Sequence, residues 1–165
     1  MTANAIILPL ERTVNDLLAE IERLPSDVLY REPTAGEWPV MSILAHLAEL
    51  LPFWAHEAAD LASAPGKAVG RALDDSRRVE PIEQHQHDSI AEIVPRIRAG
   101  LAECEATLRT IPSDAWQVVG QHATRGPMSV EQLVQAFVAN HAVEHAKQIR
   151  ETLQTLGAGQ SSQVP

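Results

Sequence analysis

The chain has 165 residues, 45% of them hydrophobic and 21% charged, which fits one globular domain able to bury a core. Its 22 acidic against 13 basic residues leave a formal charge of -9, which argues against nucleic acid as a partner, because phosphates attract a basic face. One cysteine, Cys104, permits no disulfide within the chain and points to a reducing, cytoplasmic setting.

The opening run M-T-A-N-A-I-I-L-P-L lacks a basic leader and is interrupted by Pro9, so it reads as neither signal peptide nor membrane span. Aromatic residues make up only 4%, and strand-forming residues do not alternate. Both observations predict an all-α fold. The first helix is expected from about Pro9 to Leu24, with Leu10, Val14, Leu17, Ile21 and Leu24 on one seam and Pro25 as the stop. A loop with two prolines and a glycine then leads to Trp38.

The second helix is predicted from Pro39 to about Ser63, with Ile43, Leu47, Leu50 and Trp54 on its stripe and His46 among them, pointing inward. Pro52 removes a backbone donor and predicts a kink or break. The polar segment from Ala64 to Glu80, with Pro65, Gly66, Gly70 and the basic residues Arg71, Arg77 and Arg78, reads as an irregular crossover along a bundle. Its arginines are solvated surface or, alternatively, a patch for an anionic ligand. A third helix follows to Ile111, starting either at Pro81, with Pro95 as a kink, or at Ser89, which forms a capping box with Glu92. Cys104 falls on its apolar stripe and reads as a small buried hydrophobe.

The loop from Pro112 to Pro127 ends at Ser129, which with Gln132 makes a second capping box. The fourth helix is expected to run to about Leu156, capped by Gly157, with Val134, Val138, His141, His145 and Ile149 facing inward. The domain is therefore assigned to residues 1–157 and the tail, 158–165, is expected to be flexible. L-P-S-D at Leu24 recurs as I-P-S-D at Ile111, and Met41-Ser42 recurs as Met128-Ser129, so each half reads as helix, loop and capped helix.

Among the seven histidines, His56, His85, His87 and His122 fall in polar or loop contexts and are expected to face water. His46, His141 and His145 fall on core stripes. Histidines four apart on a helix stack on one face, and buried imidazoles without partners are costly, so the three together predict a divalent metal site with an open fourth position. The other reading of the same pattern is a polar core network. Glu49 and Gln148 are candidate partners holding the imidazoles, and surface placement is their alternative. H-A-V-E-H also matches the H-x-x-E-H of inverted zinc peptidases with Glu144 as base, although only Glu151 follows as a downstream carboxylate.

The runs W-P-V-M-S-I-L-A-H-L and, with the histidines 95 residues apart, S-V-E-Q-L-V-Q-A-F-V-A-N-H-A-V-E-H-A-K-Q-I, together with S-D-x-W at Ser113 to Trp116, resemble the DinB/YfiT-like superfamily. That resemblance implies a four-helix bundle, often dimeric, with a divalent metal held by one histidine of the second helix and two of the last, here His46, His141 and His145. Characterised relatives include bacillithiol S-transferases and the mycothiol-dependent maleylpyruvate isomerase, so the resemblance implies a transferase or isomerase that uses a metal-activated, low-molecular-weight thiol. The family name records DNA-damage induction and implies no contact with DNA. Imidazole suits zinc, nickel, copper and iron alike, and zinc or nickel is the expected ion. Arg71, Arg77, Arg78 and Arg125 are the candidates for holding an anionic thiol or small-molecule substrate, and the alternative function is a non-catalytic metal-binding stress-response or interaction module.

Overall fold

The computed structural model describes residues 3–158. Four long helical elements form the bundle: α1 (Ala3–Ile21), α2 (Val40–Ser63), and two more separated from α2 by a 26-residue crossover, 64–89. The crossover contains a two-residue strand β1 (Ala68–Val69) and a short helix α3 (Ser76–His85), so it is more ordered than the polar sequence suggested. The Asp75 carboxylate caps α3 by accepting from the Arg77 backbone N–H, and Pro81 lies inside this helix rather than opening the next. The third bundle helix is α4 (Ile90–Thr110), entered through the Ser89–Glu92 capping box.

The last element begins as α5 (Val130–Val134), continues through a π-helical stretch (Gln135–Asn140), and ends as α6 (His141–Thr155). Ser129 and Gln132 form the expected capping box at its start. At its end Gly157, at φ +73°, lets the Ala158 N–H reach the Leu153 carbonyl, which satisfies an orphan carbonyl of the last turn. Beyond Ala158 the tail predicted to be flexible lies outside the described residues.

Helix α1 packs against α4 and the last element, and α2 packs against the same two, so α1 and α2 occupy opposite corners although they are consecutive in sequence. That arrangement needs the crossover. Helix α2 is buried around most of its circumference, with every residue from Val40 to Ala48 buried. At two prolines the helices neither start nor break as the sequence allowed. Helix α1 begins six residues before Pro9, whose ring is tolerated on the exposed side. Helix α2 runs through Pro52 without a break, because its other turns are locked between neighbours. The 87-residue repeat holds for the 3-10 turns after α1 and α4, at Ser26–Tyr30 and Ala115–Gln117, but Ser129 is a cap whereas Ser42 lies inside α2.

A three-stranded sheet, not anticipated from the sequence, joins the two long loops. Strand β1 pairs in parallel with β2 (Val119–His122), which pairs antiparallel with β3 (Gly126–Ser129), with Ala68 opposite Gln121 and Gly120 opposite Met128. The sheet ties the crossover to the β2–β3 hairpin and brings both to one side of His46. Among the described residues, no helix is long and apolar enough to cross a membrane.

Candidate metal centre

His46 projects from the buried middle of α2, whereas His141 and His145 stand on the first turns of α6. The π-helical stretch explains their exposure. A π turn adds a residue to the helical repeat and rotates the residues beyond it, so the buried stripe passes from Val134 and Val138 to Ala142, Ala146 and Ile149. The two histidines therefore flank the core, half-buried, instead of occupying the stripe as predicted. Gln135 Nε2 donates to Asn140 Oδ1 at 2.8 Å across the stretch, a pairing of residues five apart that suits a π turn.

The structure brings the three imidazoles together. One ring nitrogen from each lies within 4.8 Å of the others, a set that could hold a metal ion. The ring centroids are 4.5 Å apart for His141 and His145, 4.9 Å for His46 and His145, and 5.9 Å for His46 and His141. Glu49 and Gln148 hold two of the rings. His46 Nδ1–H donates to Glu49 Oε1 at 2.6 Å, and His145 Nδ1–H donates to Gln148 Oε1 at 2.9 Å. Each bond leaves the lone pair on Nε2, the usual arrangement behind a metal-binding imidazole. His145 Nε2 is buried with no hydrogen-bond partner among the described residues, an orphan acceptor that a cation would satisfy. The donor set and this orphan fit a divalent ion.

Glu49 is itself anchored. Arg71 Nη2 donates to both of its carboxylate oxygens at 2.7 Å, and the Arg71 guanidinium lies 3.9 Å from the Phe53 ring centroid. Trp38 stands edge-on to His46 at 5.6 Å, with the Arg78 guanidinium 5.1 Å from its ring.

His46 and His141 open onto a cavity of about 640 Å³, whose lining includes Arg71, Arg78 and Arg125. Of the four candidate arginines, Arg71 is committed to Glu49, while Arg78 donates to the Leu73 carbonyl and Arg125 lies 4.7 Å from the Phe137 ring centroid. Arg77 is paired with Asp75 and takes no part in the lining. Glu144 is exposed, and the third group beside His141 and His145 is an imidazole rather than a carboxylate, so the peptidase pattern is not assembled.

Sequence reasoning missed His122. It is half-buried, lines the same cavity, and lies parallel to Phe137 at 4.9 Å and to Trp54 at 6.3 Å. Its loop-like neighbours, Ala123, Thr124 and Arg125, hid a hairpin that only pairing with β1 and β3 makes visible. The other three histidines expected in water divide. His56 is exposed beside Glu103, His87 is exposed, and His85 is half-buried against Asp88.

Burial, reinforced by the neighbouring imidazoles and the cavity arginines, pushes His141 down to about 4. His145 is likewise pushed down to about 4 by burial, partly opposed by its bond to Gln148. Both pKa values are depressed from 6.5, so the unfolded chain takes up these protons first as pH falls. Stability from the neutral pair is therefore complete above 6.5 and declines as pH falls towards about 4. Urea midpoints of chelator-treated protein between pH 7 and pH 4 are expected to fall, with a shallower slope in a His141→Gln/His145→Gln variant. Equal slopes would contradict the assignment.

The DinB superfamily profile matches residues 9–149. Among solved structures the chain is similar to YfiT from Bacillus subtilis, described as a probable metal-dependent hydrolase with an unusual four-helix bundle topology. The match has 18% identity and a TM-score of 0.73, covering 94% of this chain and 87% of that one. It is also similar to the mycothiol-dependent maleylpyruvate isomerase, at 11% identity and a TM-score of 0.62, covering all of this chain but 65% of the isomerase. A mutant of that isomerase matches at 10% identity and a TM-score of 0.64, over the same 65%. At these identities the likeness shows a shared fold. None of the curated proteins matches the chain.

Proposed function

The chain belongs to the DinB superfamily, and on that premise we propose that it is a divalent-metal-dependent enzyme using a low-molecular-weight thiol to transfer sulfur to, or isomerise, a small electrophile. One observation carries the reading: three imidazoles converge, His145 with a buried and unpartnered Nε2, and two of them, His46 and His141, open onto a cavity lined by arginines. His46, His141 and His145 would hold a divalent ion, zinc or nickel being the first choices among the zinc, nickel, copper and iron that imidazole suits. Such an ion is a Lewis acid that favours the thiolate form of a bound thiol.

The protein's own groups do the positioning. Glu49 and Gln148 fix two ring orientations, and Arg78 offers positive charge to an anionic thiol. Phe137 and Trp54 keep part of the wall dry. Among the described residues, no thiol lines the cavity; the one hydroxyl there, that of Thr124, lies 3.3 Å from His122 Nδ1. Cys104 is buried in the core and pushed up to about 12 by that burial and by Glu105 and Glu103, so the attacking sulfur must arrive with a cofactor. No carboxylate of the described residues lines the cavity, so His122 is its only candidate base outside the three converging histidines. The alternative of a non-catalytic module makes no use of the cavity.

The test is elemental analysis of untagged protein after loading with zinc or nickel, followed by assay with cysteine, glutathione, bacillithiol or mycothiol and 1-chloro-2,4-dinitrobenzene. In the assay a sulfur–carbon bond forms as chloride leaves and the thiol proton passes to solvent. About one ion per chain, absent from His145→Ala, with metal-dependent thioether formation is expected. No ion after loading would make the histidines a polar core network. An ion without thiol-dependent product would return the site to the non-catalytic reading.

A further inference from the structure

The cavity beside the histidines carries a charge opposite to that of the chain. Among the described residues, three arginines and no carboxylate line it, although acidic residues outnumber basic ones by 22 to 13. Arg71 is spent on Glu49, and Arg78 donates to the Leu73 carbonyl and lies over Trp38, so the wall contributed by the β2–β3 hairpin presents the least committed charge, Arg125. His122 is the centre of that wall. Its Nδ1 lies 3.2 Å from the Thr124 backbone nitrogen, 3.3 Å from the Thr124 hydroxyl and 3.4 Å from the Arg125 backbone nitrogen. Backbone amides only donate, so Nδ1 accepts and the ring proton sits on Nε2.

Nε2 has no hydrogen-bond partner among the described residues. The ring packs where Gly70 has no side chain: a Cβ there would come within 3.1 Å of Nε2, and Gly70 itself has φ +101°. Parallel packing on Phe137 fixes the ring plane, and the Arg125 guanidinium lies against the same Phe137 ring. Burial and Arg125 lower the His122 pKa, so near neutral pH the ring remains a neutral donor. A neutral imidazole aimed at a substrate oxygen polarises it without adding a second charge. Apart from His46, His141, Thr124 and the arginines, the remaining lining is apolar, including Leu73, which is 80% exposed.

We propose that the hairpin wall is a carboxylate site, in which His122 Nε2–H donates to one carboxylate oxygen of an organic acid while Arg125 supplies the positive charge and the acid's apolar body lies along the exposed Leu73. The electrophile is thus a small organic acid with an apolar or conjugated body. This rests on reading the cavity as the substrate site of the proposed enzyme, but it needs no metal.

The experiment is therefore a calorimetric titration of the full chain, in the presence of a chelator, with cinnamate and with its uncharged amide. Cinnamate affinity is expected to fall about tenfold in His122→Phe, which keeps a stacked ring without the donor, and about tenfold in Arg125→Gln. His122→Gln, which restores an N–H, should recover part of the loss, and the amide should bind more weakly than cinnamate to the wild-type chain. Nitrogen-15 spectra of labelled histidine should show His122 Nδ1 unprotonated and Nε2 shifting on cinnamate addition.

Cinnamate binding unchanged in both variants, an amide that binds as well as the acid, or a protonated Nδ1 would each overturn the proposal. The phenylalanine variant is read only if its circular dichroism matches wild type; otherwise the glutamine variant and the nitrogen spectra decide. A chain that never binds an ion yet binds cinnamate through His122 would sink the metal reading and leave this one standing. Stoichiometric ion with cinnamate affinity indifferent to His122 would do the reverse.

Discussion

Glu49→Ala is expected to destabilise the protein by about 3–5 kcal/mol and to weaken metal binding about 10–100-fold. Glu49 joins two buried groups. It accepts from Arg71 with both oxygens and from His46 Nδ1, while the Glu49 and Arg71 side chains are 9% and 3% exposed. Alanine would leave the guanidinium with the Arg77 carbonyl and the Phe53 face as its remaining contacts. An uncompensated buried charge costs far more than the pair contributes.

Arg71→Met in the same chain should therefore restore much of the stability, because no charge is then stranded, but it should not restore metal affinity, since His46 still lacks its acceptor. Urea denaturation of the two single variants and the double variant, with metal competition measured on the same preparations, separates the effects. A Glu49→Ala chain within about 0.5 kcal/mol of wild type would show that Arg71 finds water when its partner is gone, and would remove the buried-charge account.

The same residues show what was legible in the sequence. His46, His141 and His145 could be read because helical periodicity turns spacing into direction, and Glu49 and Gln148, each three residues after a histidine, follow from the same geometry. What the periodicity could not supply is the π-helical stretch, which shifts the face of α6 and moves His141 and His145 from the core stripe to its flank. The sheet was hidden for a different reason. Strand β1 is two residues long, and Gly120 and Pro127 break any alternating pattern in β2 and β3, so each exists only through its neighbours. His122 and Gly70 belong to that tertiary pairing, which is why the arginine-rich segment was visible as composition while the wall it helps build was not. Helix α3 went unread because Pro81 suits a helix start, whereas it lies inside a helix that Asp75 caps five residues upstream of Glu80.

Gly100→Ala is expected to lower stability by about 1–3 kcal/mol, against the roughly 1 kcal/mol that alanine ordinarily adds inside a helix. The reason lies across the interface. Pro52 has no N–H, so the Ala48 carbonyl in α2 loses the donor that a continuous helix would give it. Gly100 of α4 sits against that carbonyl: a Cβ would fall 2.6 Å from Ala48 O and 3.4 Å from Pro52 Cδ. The missing side chain lets the α4 backbone close on the one turn of α2 whose hydrogen bonding is incomplete, and a Cα–H contact to the carbonyl is the weak compensation available. Alanine cannot enter unless α4 moves away from α2, and Ile97, Leu101 and Cys104 would lose packing as it does, since all three are buried. His46, two residues before Ala48, is held from the other side by Glu49, so metal stoichiometry should be unchanged while the urea midpoint falls. If Gly100→Ala proves as stable as wild type, the helices have room to separate and the contact is incidental; if it also loses the ion, the α2–α4 spacing sets the position of His46 as well as the stability of the bundle.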